Sequence, residues 1–113
     1  MNQPSLSGRR ILITGAARGL GEAFARACVA HGARVVVSDV LHDQGHAVVQ
    51  DLNRSHPGAA SYVPLDASDP SSIATAMSTI VSTLGGLDGL VNNAAITHSG
   101  GKSMSEISIE TWD

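Results

Sequence analysis

Apolar positions in this chain come in two rhythms, and the alternation between them predicts the order of elements. Ile11, Leu12 and Ile13 form an unbroken apolar run, as do Val35, Val36 and Val37 within Arg34 to Asp39. Runs this short and rich in β-branched residues predict strands covered on both faces, the habit of a parallel sheet. Between them Leu20, Phe24, Ala27, Cys28 and His31 recur at helical spacing. A helix is therefore expected from about Gly19 to His31, with that face buried and Gly32 closing it in a left-handed conformation. Leu41, Gly45, Val48, Val49 and Leu52 mark a second helix that ends near Ser55-His56-Pro57-Gly58. Ala60 to Pro64 reads as a third strand. Ile73, Ala76, Met77, Ile80, Val81 and Leu84 form the stripe of a third helix, opened by Asp69 or a nearby Ser with Pro70 and closed by Gly85-Gly86. Gly89 to Asn92 is the fourth strand, a polar loop follows through Gly101, and Ile107 to Asp113 is expected to begin another helix.

Strands alternating with helices in this order predict an α/β fold, a Rossmann-type doubly wound parallel sheet with right-handed crossovers, of which these are the first four strands. Composition agrees. The chain has 113 residues, 42% of them apolar, enough for one domain with a real core. Aromatic residues make up only 3%, so the interior is built from Ala, Val, Leu and Ile. The net charge of −3 and the scattered Lys and Arg give no footprint for nucleic acid. No apolar run approaches the roughly 20 residues of a membrane span, and Met1 to Arg10 lacks the apolar core of a signal peptide, so a cytoplasmic protein is expected. Cys28 is the single cysteine, which excludes a disulfide framework and a cysteine-based zinc site. It is expected to be a buried structural thiol.

Candidate chemistry gathers at Ile11 to Gly21, I-L-I-T-G-A-A-R-G-L-G, where the first strand runs through three glycines into the first helix. Glycines there let the backbone turn with positive φ and approach a ligand closely. The helix start presents unpaired N–H groups and about half a positive charge, so a pyrophosphate can be held largely by backbone. The spacing is G-x-x-x-G-x-G, distinct from G-x-G-x-x-G, and it lacks the Gly-Lys-Ser/Thr ending of a P-loop; a nucleoside triphosphatase is not expected. Gly15, Asp39, Asp66 and Asn92 to Ala95 all fall at the carboxyl ends of strands, where ligands bind in such sheets.

With these pieces in view the chain resembles the N-terminal half of a short-chain dehydrogenase/reductase. The resemblance rests on T-G-A-A-R-G-L-G at Thr14 to Gly21, Asp39 after the second strand, D-A at Asp66 and Ala67, and N-N-A-A at Asn92 to Ala95. It covers nearly the whole chain. The family usually has Gly where Ala95 stands, a change that touches only the fine shape of the cofactor pocket. The resemblance implies that Gly15, Arg18, Gly19, Leu20 and Gly21 surround the pyrophosphate and adenosine ribose. Asp66 and Ala67 would meet the adenine edge, and Asn93, Ala94 and Ala95 would line the ribose side. Asp39 lies 18 residues beyond Gly21, near where an acid binds the two hydroxyls of an adenine ribose. That favours NAD over NADP, with Arg18 as the counterweight.

The activity implied is reversible hydride transfer between an alcohol or carbonyl carbon and the nicotinamide, by an enzyme that forms homodimers or homotetramers. Family catalysis uses a Tyr, a Lys four residues later, an upstream Ser and an Asn in the helix after the fourth strand. Here Tyr62 is followed four positions later by Asp66, and Lys102 is preceded four positions earlier by His98, so residues 1–113 contain no Y-x-x-x-K. In the family a segment like Glu110 to Asp113 leads into the helix bearing the Asn. The chain is thus read as the cofactor-binding N-terminal fragment, with no catalytic residue assigned and no turnover expected alone. A non-catalytic module that binds NAD or a partner is the alternative. Thr97, His98 and Ser99 fall where the substrate end should lie, with His98 expected as a loop residue. His42 and His46 share a helix face but find no third ligand, so a solvated face and no metal site are expected. The isolated piece is expected to be marginally stable, because the open edge of the fourth strand and uncovered apolar surface would face water.

Overall fold

The computed structural model describes residues 5–93, and residues 108–111 by their backbone. Five strands, β1 (Arg10–Thr14), β2 (Arg34–Ser38), β3 (Ala60–Tyr62), β4 (Gly89–Asn92) and β5 (Ser108–Thr111), form one sheet in the order β3-β2-β1-β4-β5. The helices are α1 (Gly19–Ala30), α2 (His42–Ser55) and α3 (Pro70–Leu84). The first four strands are parallel, giving the doubly wound arrangement expected from the apolar runs.

The two faces of the sheet carry separate cores. Ile11, Ile13, Val35, Val37 and Val91 pack with Ala25, Cys28, Val29, Val48 and Leu52 of α1 and α2. Leu12 and Val36 point the other way and pack with Ala76 and Ile80 of α3, together with Val63, Leu65 and Leu87. Because successive residues of a strand face opposite sides, a strand between two helical layers must be apolar throughout. That is why β1 and β2 read as unbroken runs.

Helix ends follow local chemistry. The Asp69 side chain accepts from the Ser71 N–H at 2.9 Å and Pro70 opens α3, while Gly85 closes it with φ of 80°. Gly32 follows α1 with φ of 96°.

Three expectations are corrected. The buried face of α1 is Gly21, Ala25, Cys28 and Val29; Leu20, Ala27 and His31 are exposed, and Phe24 is half-buried. Apolar spacing weighted the large side chains. Close approach to the sheet selects the small ones instead, and the helix is rotated accordingly. Cys28 does remain a buried thiol, its pKa raised by desolvation. The second correction concerns Ile107 to Asp113, where Ser108–Thr111 forms a strand antiparallel to β4, with Val91 opposite Ile109. The outer edge of β4 offers a row of backbone N–H and C=O groups, and β-branched Ile109 and Thr111 suit a pleated strand, so edge pairing wins over helix. Third, and for the same reason, the β4 edge expected to be open is covered. Exposed apolar surface persists on α3, at Ile73 and Val81.

Candidate functional site

The parallel register sets the strand ends level. Thr14 pairs with Ser38 on one side and with Asn92 on the other, so Gly15, Asp39 and Asn93, the residues that follow, emerge together at the carboxyl edge. The Thr14 hydroxyl donates to Asn92 Oδ1 at 3.0 Å and accepts the Asn93 N–H at 2.9 Å. Asn93 reaches across β1, its side-chain amide donating to the Gly15 carbonyl at 3.2 Å. Buried Gly21 packs against the same two groups; a Cβ there would collide with the Gly15 carbonyl and the Asn93 amide. Gly21 thus makes room for the bond that joins the glycine turn to β4.

Asp39 ties the turn to β2. One carboxylate oxygen accepts the Ala17 N–H at 3.0 Å, and the other accepts the Leu41 N–H at 3.1 Å. The side chain is only 9% exposed, so both bonds lie in a low-dielectric setting that strengthens them. Each oxygen keeps lone-pair capacity for a further donor.

Around these anchors the turn is open. Gly15 and Gly19 have φ of 63° and 61°, conformations costly for a side chain, and a Cβ on Gly19 would meet nothing within 4 Å. The start of α1 contrasts with that of α3. Arg18 occupies the N-cap in an extended conformation and gives no side-chain cap to the first N–H groups of α1. Arg18 is exposed and makes no ion pair among the described residues. Leu20, just after Gly19, and Val40, just after Asp39, are 53% and 55% exposed.

Asp66 lies farther along, beyond β3. Its Oδ1 accepts both the Ser68 N–H at 3.0 Å and the Ser68 hydroxyl at 2.6 Å, which hold its carboxyl below the usual carboxylate pKa. It is therefore a turn residue, yet an exposed one whose Oδ2 takes no bond among the described residues. Ala67 is half-buried against the α3-side core. Ala94, Ala95, Thr97, His98 and Ser99 lie outside the described residues.

Two contributors escaped the sequence reading. Thr14 enters the sequence motif without a role of its own, although a polar β-branched residue at the very end of an apolar strand is itself a signal. Tyr62 was set aside for want of a following Lys, and its hydroxyl donates to the Asp39 backbone carbonyl at 2.6 Å. His42 and His46 are exposed, with both rings lying against Tyr62; among the described residues there is no cluster fit for a metal. No helix among them is long and apolar enough to cross a membrane.

A level row of strand ends beside a helix start without a side-chain cap, with an acid after the second strand, lies at the edge where open α/β sheets take their ligands. Residues 9–113 match the family model described as short chain dehydrogenase, and the chain belongs to that family. It is 40% identical over 107 residues to the 3-alpha-(or 20-beta)-hydroxysteroid dehydrogenase of Mycobacterium tuberculosis, covering 95% of this chain and 39% of that protein. Among solved structures, it is similar to the 3-ketoacyl-(acyl-carrier-protein) reductase from Brucella melitensis complexed with NADH. That match has a TM-score of 0.76 at 36% identity and covers 83% of this chain and 37% of the other. The N-domain of a bacterial malonyl-CoA reductase with NADP matches with a TM-score of 0.74 at 33% identity, over 82% of this chain and 18% of the other. The chain thus spans about two fifths of the length of the curated relative.

Proposed function

We propose that this chain supplies the dinucleotide-binding part of an NAD-dependent oxidoreductase acting on alcohol or carbonyl groups. The observation that carries the reading is the Asp39 carboxylate, fixed by the Ala17 and Leu41 N–H groups beside the open glycine turn. A dinucleotide fits the groups present. Space above Gly19 and the start of α1, which has no side-chain cap, suit a pyrophosphate; Gly15 and Gly19 give the turn its positive φ, and Gly21 would serve by holding that turn against β4. Arg18 would add charge there. The remaining lone pairs of Asp39 would accept from the two hydroxyls of an adenine ribose, Asp66 Oδ2 from the adenine amino group, and Ala67, Asn93, Ala94 and Ala95 would line the ring and ribose. The nicotinamide supplies the hydride chemistry when bound.

Asp39 also favours NAD over NADP. A 2′-phosphate about 4 Å from its carboxylate would meet a repulsion of about 4 kcal/mol per charge at intermediate dielectric. Arg18 offsets part of that. Residues 1–113 hold no Tyr-Lys pair at family spacing, so we expect cofactor binding without turnover. Calorimetric titration with NAD and with NADP tests the reading: tighter binding of NAD is expected. Equal or tighter binding of NADP would overturn the specificity, and no binding of either would overturn the function.

A further inference from the structure

We infer that Tyr62 is a positioning residue for the cofactor site, holding the Asp39 peptide so that its carboxylate faces the glycine turn; this rests on the dinucleotide reading above. Tyr62 stands at the end of β3, and its ring lies against Gly45 of α2 so closely that a Cβ on Gly45 would collide with it. The His46 ring covers it at 4.4 Å between centroids, and the His42 ring meets it edge-on at 5.9 Å. Packed in this way, the phenol has one direction in which to point. Its hydroxyl lies 2.6 Å from the Asp39 carbonyl and 2.7 Å from His42 Nδ1.

The single hydroxyl proton settles the direction of both bonds. A carbonyl cannot donate, so Tyr62 donates to Asp39, and His42 must donate through a protonated Nδ1 into the phenol oxygen. Burial and the nearby Asp39 charge push the Tyr62 pKa up, which keeps the phenol a donor. The Asp39 carbonyl takes a second, longer bond from the Leu65 N–H at 3.4 Å.

Asp39 is thereby gripped at three places: its carbonyl by Tyr62 and its two carboxylate oxygens by Ala17 and Leu41. The grips are coupled, because the Asp39 carbonyl belongs to the peptide that leads through Val40 to Leu41. If that peptide turns, the Leu41 N–H leaves the carboxylate. The carboxylate is then free to swing away from a 2′-phosphate, and the preference for NAD falls with it. Recognition of the ribose therefore depends on a hydroxyl from β3 that touches no cofactor atom.

Tyr62→Phe removes the hydroxyl and keeps the ring packed on Gly45 and His46. Two measurements on the protein read the result. By titration, NAD affinity is expected to fall about two- to tenfold, the usual effect of one hydrogen bond, with NADP affinity changing less, so that the preference narrows. By amide hydrogen exchange without cofactor, the Ala17 and Leu41 N–H groups are expected to exchange faster while Val35 to Val37 in β2 keep their protection. Unchanged exchange at Ala17 and Leu41 would overturn the inference. So would equal loss of both cofactors with β2 exchange rising alongside, which is the mark of a merely structural residue. Failure of the unsubstituted protein to bind either dinucleotide would overturn the function proposed above, and exchange at Ala17 and Leu41 would still decide the role of Tyr62.

Discussion

The two ends of the sheet both carry charged and polar side chains, and they use them in opposite ways. At the amino end Arg10 donates through Nε and Nη2 to Asp88 at 2.9 and 3.2 Å, and its backbone N–H reaches the same carboxylate at 2.8 Å. The guanidinium also lies over Gly86, whose φ of 151° and missing side chain leave it room. Charge there is answered within the protein. At the carboxyl end Asp39, Thr14 and Asn93 are also bonded, yet their bonds serve to aim an opening: the first turn of α1 lacks a side-chain cap, and Arg18 has no acidic partner among the described residues. Polar residues at strand ends are therefore not a site in themselves. What separates the two ends is the donors and acceptors left over once the internal bonds are made.

The sharpest way to break the contrast is Gly21→Val. Its side chain would run into the Gly15 carbonyl and the Asn93 amide, so NAD binding is expected to vanish from a titration. Overpacking should also lower stability by about 1–3 kcal/mol, visible in a thermal melt. Next in size is Asp39→Ala, which removes the acceptor for Ala17 and Leu41 and, in the function proposed, for the ribose. NAD affinity is expected to drop about 10- to 100-fold, since hydrogen bonds to a charged group contribute about 1.5–3 kcal/mol each, and NADP should then bind as well as NAD. An undiminished NAD preference in that variant would remove Asp39 from the site.

The smallest effect sharpens the other end. Arg10 holds the Asp88 carboxyl at about 2, below its ordinary 3.8, mainly through the side-chain bond. A pKa lowered by folding adds stability that is full above the ordinary value and is lost as pH falls toward 2. Asp88→Asn should flatten that part of an acid unfolding curve and leave NAD affinity within about twofold, a difference of less than 0.5 kcal/mol. A larger loss of affinity would mean that the two ends are not independent.

Much of this was legible in sequence because it depends on local chemistry. The unbroken runs at Ile11 to Ile13 and Val35 to Val37 could only be strands between two layers, and Asp69-Pro70 and Gly85 marked the ends of α3 through capping rules. Asp39 was legible as a strand-end acid, and its fixed geometry beside Ala17 was not, because that bond joins residues 22 apart in the chain. The buried face of α1 was misread because spacing counts apolar residues and cannot weigh how closely a helix must approach. The strand at Ser108–Thr111 was missed because edge pairing depends on what β4 leaves open, a property of the assembled sheet. Tyr62 was missed because its partner is a backbone carbonyl, which leaves no trace in residue type.

The central place of β1 also orders the assembly of the molecule. Arg10 meets Arg34 on β2 across 24 residues, whereas the bonds of Thr14 and Gly15 to Asn92 and Asn93 span 78. Closing the longer loop costs about 1 kcal/mol more in chain entropy, and β4 cannot be captured until β1 and its neighbours offer an edge. On that ground the β1-α1-β2 unit is expected to form first and the link from Asn93 to the glycine turn late. The part of the protein that would recognise a dinucleotide is complete only when the sheet is, so a half-folded chain offers no finished site.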